Sequence, residues 1–452
     1  MGVKKSVVAT IACVALRRYT AASSLVSRPT SRSGQARPTG DPASTSLSNA
    51  GVSLQPQPPP CANCVSRIAG LSVGLFMISR KLVTGACSTT GISVRGPVTA
   101  TVAQLTAFDE VIDVRSEGEF AEDHIPGAVN CPVLTNEERA RVGTIYKQRS
   151  AFEAKKIGAA LVSANIARHL DARFLDRPRA WRPLVYCWRG GERSAAFAHV
   201  LAQVGWEVGR LDGGYRAYRR AVVADLDRRP GELRLRVVCG LTGAGKSRLL
   251  LALRDAGGQV LDLEALAAHR GSVLGDLPEQ PQPTQKMFES VVWNAITGFD
   301  PARPVFVEAE SRKIGAVRVP EALIEAMWKS DCVLLEAPLA ARLALLKREY
   351  AHYLGGVEVL TANLQRLVPL HGHAVVDQWK ALALSRRWDE LTADLLARHY
   401  DPAYARAISR HYPALGRAQK LALHDPGDAA FKALAQRCLE ASQITNHETR
   451  VL

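Results

Sequence analysis

Gly240-Leu241-Thr242-Gly243-Ala244-Gly245-Lys246-Ser247 constrains the fold more than any other stretch of this chain. It matches G-x4-G-K-S without departure. Before it, Leu233-Arg234-Leu235-Arg236-Val237-Val238-Cys239 alternates and then runs apolar, as a strand does. After it, Leu249-Leu250-Leu251-Ala252-Leu253 reads as an apolar helix. Strand, glycine-rich turn and helix in that order wrap backbone N–H groups around a phosphate chain at a helix N-terminus. Lys246 then reaches the terminal phosphates, and Ser247 can ligate Mg²⁺. Gly240, Thr242, Gly243, Gly245, Lys246 and Ser247 are therefore the candidate phosphate-binding residues, and Ser247 the candidate metal ligand.

Three more segments read as strands of the same sheet: Val260-Leu261-Asp262-Leu263-Glu264, Pro304-Val305-Phe306-Val307-Glu308 and Cys332-Val333-Leu334-Leu335-Glu336. Strands alternating with helices imply a mainly parallel α/β sheet. Ligands bind at the carboxyl ends of such strands. This places Asp262, Glu264 and Glu308 beside the phosphate loop, with Glu308 where a Walker B acid would sit.

A second strand–loop–helix joint lies upstream. Leu184-Val185-Tyr186 reads as a buried strand ending on Cys187; Trp188-Arg189-Gly190-Gly191-Glu192-Arg193 follows, then a helix start at Ser194-Ala195-Ala196-Phe197-Ala198. A helix N-terminus favours an anion and stabilises a thiolate, so Cys187 is expected to have a lowered pKa and to be a usable nucleophile. The planar fork of Arg193, six residues on, can hold a tetrahedral oxyanion. Gly190 and Gly191 supply the turn between them.

This loop resembles the active-site loop of the rhodaneses. Val111-Ile112-Asp113-Val114-Arg115, Glu119-Phe120 and His124-Ile125-Pro126-Gly127-Ala128-Val129-Asn130 resemble the rhodanese N-terminal signature, and Leu211-Asp212-Gly213-Gly214-Tyr215 the last turn of that domain. One departure stands out. Sulfur-transferring rhodaneses usually have one residue fewer between Cys and Arg; the Cys-x5-Arg spacing here is that of the related phosphatases and suits a tetrahedral, phosphate-like group.

Composition sets the limits. The 452 residues are 47% hydrophobic, ample for sizeable cores in about three domains. Nine scattered cysteines make no disulfide framework, and a lone Cys61-Ala62-Asn63-Cys64 is a weak metal or redox signal. Residues 1–100 hold eleven Lys or Arg and one acid, Asp41, hence ten of the chain's net +15 charges. Residues 29–60, rich in Pro, Ser and Gly, are expected to be disordered. Such a basic, acid-poor tail reads as a transit peptide for a mitochondrion or plastid, with a mistranslated upstream stretch and a cytoplasmic protein as the alternatives. Ile68–Ser79 is apolar but too short to span a bilayer, so no stable membrane insertion is expected. The expected domains are the tail at 1–100, a rhodanese-like α/β domain at 101–228, and a P-loop NTPase-like α/β domain at 233–452, helical from about 340. Arg228-Arg229-Pro230-Gly231 breaks the chain between the last two.

Between the rhodanese signatures, a capped helix is predicted from Thr135 and another from Phe152 to Leu170. Basic residues cluster there and just after: Arg139, Arg141, Lys147, Arg149, Lys155, Lys156, Arg168, Arg173, Arg177, Arg179 and Arg182. They read either as a solvated helix face or as a footprint for nucleic-acid phosphates. Arg386-Arg387, Arg406, Arg410, Arg417 and Lys420 in the C-terminal part carry the same two readings.

A rhodanese-like domain followed by a P-loop domain is similar to bacterial tRNA 2-selenouridine synthases. The resemblance covers roughly residues 105–415. It is carried by Val142–Gln148, Asp262–Ser272 with its His-Arg-Gly-Ser string, Glu308–Gly315 with Glu-Ser-Arg, Arg348-Glu349-Tyr350, and Tyr400-Asp401-Pro402-Ala403-Tyr404. It adds Arg312 to the ligand-binding residues. It implies a reaction on wobble 2-thiouridine in tRNA: the sulfur is alkylated by a prenyl diphosphate such as geranyl diphosphate, and selenium from selenophosphate then displaces the alkylthio group. The phosphate loop would hold the diphosphate, whether or not it also uses ATP. The Cys187–Arg193 loop would hold selenophosphate, with Cys187 either carrying selenium as a perselenide or only orienting the donor. Trp188 and Tyr215 are candidates to stack on the splayed uridine. The competing readings are a rhodanese-type sulfurtransferase fused to an ATP-binding domain, a phosphatase or nucleotide switch, and a kinase. No oligomeric state is specified.

Overall fold

The computed structural model describes residues 96–448 apart from 278, 279, 352, 354 and 355. The expectations for the tail, the Cys61–Cys64 pair and Ile68–Ser79 fall outside the described residues, save that 96–100 belong to the first domain.

The first lobe is a five-stranded parallel sheet: β1 (Val98–Ala100), β2 (Glu110–Asp113), β3 (Val129–Asn130), β4 (Pro183–Tyr186) and β5 (Gly209–Leu211), in the order β1-β5-β4-β2-β3. Every residue of β4 is buried, as the apolar run requires. Its side chains alternate between two cores. Leu184 and Tyr186 enter one with Tyr215, Tyr218 and Val222, whereas Val185 and Cys187 enter another with Ile166, Phe174 and Phe197. Helices α1 (Glu117–Glu122), α2 (Asn136–Gln148), α3 (Ala151–His169), α4 (Glu192–Val204) and α5 (Gly214–Arg228) cover the sheet. Ser116 with Glu119, and Thr135 with Glu138, form the capping boxes that start α1 and α2. The helix after Cys187 begins two residues before Ser194, so Arg193 lies inside its first turn.

The second lobe is a five-stranded parallel sheet of β6 (Arg234–Cys239), β7 (Gln259–Leu261), β8 (Pro304–Glu308), β11 (Asp331–Glu336) and β12 (Gln419–Ala422), in the order β12-β11-β6-β8-β7. The short antiparallel pair β9 (Lys313–Ile314) and β10 (Val317–Arg318) stands apart. Helices α6 (Lys246–Asp255), α7 (Leu263–Leu266), α8 (Gln285–Thr297) and α9 (Glu321–Lys329) follow the strands. The predicted strand Val260–Glu264 is cut short: the Asp262 carboxylate accepts the Ala265 N–H and caps α7, turning Glu264 onto a helix.

Beyond β11 come α10 (Leu339–Glu349), α11 (Val357–Leu364), α12 (Val368–Leu384), α13 (Trp388–Leu395), α14 (Asp401–His411) and α15 (Asp428–Glu448). Helices α11 to α13 bury their own core around Trp379. The C-terminal part is thus helical as expected, except that β12 returns to the sheet edge and α15 packs Phe431, Leu434 and Cys438 into the core shared with α6.

The two lobes share one core: Tyr218, Val222 and Leu226 of α5 lie in the same cluster as Val292 and Trp293 of α8 and Leu323 and Met327 of α9. Polar contacts fix this seam. Asp123 accepts both the Tyr215 hydroxyl (2.7 Å) and the Ser290 hydroxyl (2.7 Å), and Trp293 donates to Asp225 (3.0 Å).

Candidate active sites

The first site is the turn from β4 into α4. Gly190 has φ +68°, and a Cβ there would lie 2.9 Å from the Leu211 carbonyl, so only glycine fits. Cys187 is 3% exposed, and its Sγ lies 3.2 Å from Ser194 Oγ, whose hydroxyl also donates to the Gly191 carbonyl at 3.2 Å. That one hydroxyl proton can turn to serve either partner, and toward sulfur it would serve a thiolate.

Arg193 donates from Nη1 to Glu119 Oε2 at 3.0 Å. Oε2 also accepts the Ser116 N–H at 3.2 Å and lies 3.4 Å from Arg139 Nε. Burial by itself would raise the Glu119 carboxyl, but Arg193, the Ser116 N–H and Arg139 together outweigh it and hold the group below the usual carboxylate range. An incoming anion must share Arg193 with this carboxylate. Glu119 was visible in the sequence as part of the signature, but its pairing with a residue 74 positions away was not.

Tyr215 does not serve as a platform for a base. It is buried, its ring lies 4.0 Å beneath the Arg115 guanidinium, and its hydroxyl is spent on Asp123. Trp188 stacks on Tyr215 with ring centroids 5.1 Å apart and is half-buried, leaving it the one of the pair with exposed surface.

The second site is the turn from β6 into α6. Gly243 has φ +78°, and a Cβ there would meet Leu346 at 2.7 Å, so the loop lies directly on α10. Lys246 Nζ donates to the Gly240 carbonyl at 3.0 Å and lies 5.5 Å over the Tyr404 ring. The Tyr404 hydroxyl accepts the Gly240 N–H at 2.6 Å. Buried Arg342 clamps the loop from behind: Nε donates to the Thr242 carbonyl at 2.9 Å, while the fork grips Asp401 at 3.0 and 2.6 Å. Neither Arg342 nor Tyr404 carries a motif that names this role.

Acids close the far side. Ser247 donates to Glu264 Oε2 at 3.2 Å, and the Glu264 N–H donates to Glu308 Oε1 at 2.9 Å. Burial, then the neighbouring Glu264, push Glu310 up to about 8 and Glu308 well above its ordinary range. Burial also raises Asp262 and Glu264. Glu308 Oε2 is buried with no hydrogen-bond partner among the described residues. With Ser247 on the Glu264 carboxylate and Glu308 one hydrogen bond behind Glu264, this oxygen-rich cluster fits a hard, oxygen-liking cation. No three His, Cys, Asp or Glu side chains among the described residues are grouped to hold a metal alone.

Lys246, Ser247, Asp262, Glu264 and Glu310 line a cleft of about 1090 Å³, as does Arg312. Arg312 lies on the rim, ion-paired with Glu321 and 4.7 Å over the Trp328 ring rather than on the phosphate loop.

Comparison with known proteins agrees with both halves. Residues 99–221 match the model for the Rhodanese-like domain, and residues 233–363 that for the tRNA 2-selenouridine synthase AAA domain. A tRNA 2-selenouridine synthase of Nitrosomonas europaea is 37% identical over 255 residues, 55% of this chain and 65% of that protein. One of Shewanella piezotolerans is 34% identical over 287 residues, 62% of this chain and 75% of that protein. One of Nitrosomonas eutropha is 36% identical over 274 residues, 59% of this chain and 69% of that protein. The match therefore spans between just under two thirds and three quarters of these relatives' length. With both domain models in tandem and this identity across them, the chain belongs to the tRNA 2-selenouridine synthase family.

Proposed function

We propose that the chain is a tRNA-modifying transferase that converts wobble 2-thiouridine to 2-selenouridine, with geranyl diphosphate and selenophosphate as co-substrates. The observation that carries this reading is the pairing, in one body, of a phosphate loop with a wide Cys-x5-Arg loop, each at the carboxyl edge of a parallel sheet.

In the first step the uridine sulfur attacks the prenyl C1. The C–O bond to the diphosphate breaks, and the leaving group departs as an anion. The loop N–H groups and Lys246, released from the Gly240 carbonyl, stabilise that charge. When bound, Mg²⁺ on Ser247 and a neighbouring carboxylate would supply further neutralisation of the diphosphate. In the second step selenium of selenophosphate attacks C2 and the alkylthio group leaves as a thiol. Water then takes the phosphoryl group, giving phosphate and selenouridine. Cys187 and Arg193 orient the donor. A perselenide on Cys187 is disfavoured by electron count, because sulfur attack on selenium would have to expel phosphorus with the bonding pair, as phosphite.

The relatives compared come from bacteria, which have no organelle of import. The cytoplasm is therefore the compartment proposed, and a reporter fused to residues 1–100 decides between it and an organelle.

Mass spectrometry of nucleosides tests the reaction, using full-length protein, thiouridine-bearing tRNA, geranyl diphosphate and selenophosphate. Selenouridine is expected from wild type, accumulated prenylthiouridine from Cys187→Ala, and untouched thiouridine from Lys246→Ala. Untouched thiouridine in wild type, with sulfur moved from thiosulfate instead, would establish the fused sulfurtransferase.

A further inference from the structure

Beside the phosphate loop lies a second cavity of about 90 Å³, and its walls are almost entirely hydrocarbon. Thr242, Leu346, Tyr350 and Tyr400 line both this cavity and the large cleft. Its deeper wall is Leu360 of α11 with Leu391 and Leu395 of α13. Thr392 and Lys347 stand half-exposed among the lining residues.

Tyr350 carries the division between the two spaces. Its hydroxyl lies 3.3 Å from Ser272 Oγ, and Arg270 sits 5.1 Å over its ring. Ser272 and Arg270 line the cleft alone, whereas the leucines of α11 and α13 line the cavity alone. The loop reaches the same boundary, since Gly243 abuts Leu346 and the Thr242 carbonyl is fixed by Arg342.

A ligand anchored by phosphates on this loop therefore meets leucine and tyrosine carbon on one side. A nucleobase in such a cavity would leave its ring nitrogens and exocyclic groups unpaired, which binding penalises. A branched hydrocarbon has nothing to leave unpaired. An enclosed apolar cavity of about 150 Å³ takes a benzene ring. At about 90 Å³, this one suits roughly one isoprene unit.

We propose that this cavity is the subsite for the hydrocarbon chain of a prenyl diphosphate whose diphosphate lies on the phosphate loop. The proposal rests on the diphosphate reading of that loop given above. Each methylene buried is worth roughly fourfold in affinity, so a chain seated here should bind well over tenfold more tightly than its head group.

Calorimetric titration of the full-length protein with geranyl diphosphate and with inorganic diphosphate, both with Mg²⁺, tests it. Thr392→Trp wedges an indole into the cavity from a half-exposed position, and Leu391→Phe narrows it from the buried side. Wild type is expected to prefer geranyl diphosphate by at least tenfold. Both variants should lose that preference while keeping the affinity for diphosphate, which reports an intact loop. Equal affinity of wild type for the two probes overturns the subsite, as does a preference that survives both variants. If wild type binds neither probe, the diphosphate reading of the loop itself fails and the subsite goes with it.

Discussion

Glu119 Oε2 lies 3.0 Å from Arg193 Nη1, so the arginine that closes the cysteine loop is already matched by a carboxylate from α1. The carboxylate competes with any anionic donor. Glu119→Gln removes the charge but keeps an acceptor, and should lower the Kd for selenophosphate about three- to tenfold. Arg193→Ala should raise it about 10- to 100-fold, the worth of a charge-assisted hydrogen bond. Competitive titration with selenophosphate checks both; weaker binding in Glu119→Gln would mean that the carboxylate positions the arginine instead.

The same pair sets a pH dependence. The folded Glu119 carboxyl is held below its ordinary value of 4.5. Its stabilisation is therefore present above that value and is lost as pH falls through the lower, folded one. Thermal melts should show Glu119→Gln less stable than wild type at pH 7, by about 1–2 kcal/mol. The gap should close as pH falls below 4.5. A gap that persists at pH 2.5 would sink the assignment.

Arg342 holds the phosphate loop without facing the phosphate. Arg342→Met keeps the stem and removes the fork, orphaning the Thr242 carbonyl and Asp401. It should destabilise the protein by about 2–4 kcal/mol. Diphosphate affinity should fall as well; a melt shift with unchanged affinity would show a purely structural clamp.

The α2–α3 hairpin is the proposed footprint for tRNA. No residue of α2 is buried, and Tyr146 and Phe152 are 60% and 67% exposed. Among the described residues Arg139, Lys156 and Arg177 have acidic partners, whereas Arg141, Lys147, Arg149 and Lys155 have none. Changing these four to Glu should weaken tRNA binding strongly. The slope of log K against log salt should become shallower by about 0.7–0.9 for each phosphate no longer neutralised. Filter binding across a salt series measures this. An unchanged slope would leave the hairpin a solvated surface.

Asp123 joins the lobes, accepting a hydroxyl from each, Tyr215 and Ser290. Asp123→Ala should cost about 3 kcal/mol or more, because two buried donors lose their acceptor. Ser290→Ala, which removes one donor, should cost about 1 kcal/mol. Denaturant titration distinguishes them, and a neutral Asp123→Ala would refute the joint.

Local pattern made much of this protein legible. Pro304–Glu308 reads as a strand and is one, because a short apolar run can hide both faces only inside a sheet. The phosphate loop is contiguous, so its motif and its shape are nearly the same information. The same logic failed at Val260–Glu264, where an Asp at the end of an apolar run capped a helix instead of extending a strand.

By itself, then, the chain's local order determined the two strand–loop–helix joints, the order of the domains, and the family to which they belong. Tertiary structure alone decided that Glu119 occupies Arg193, that Arg342 clamps Thr242, that Tyr215 is walled in, and that leucines of α11 and α13 form a cavity beside the phosphate loop. Periodicity and motif spacing report neighbours along the backbone. These relationships join residues 74 to 153 positions apart, and only the packing of one element on another brings them together.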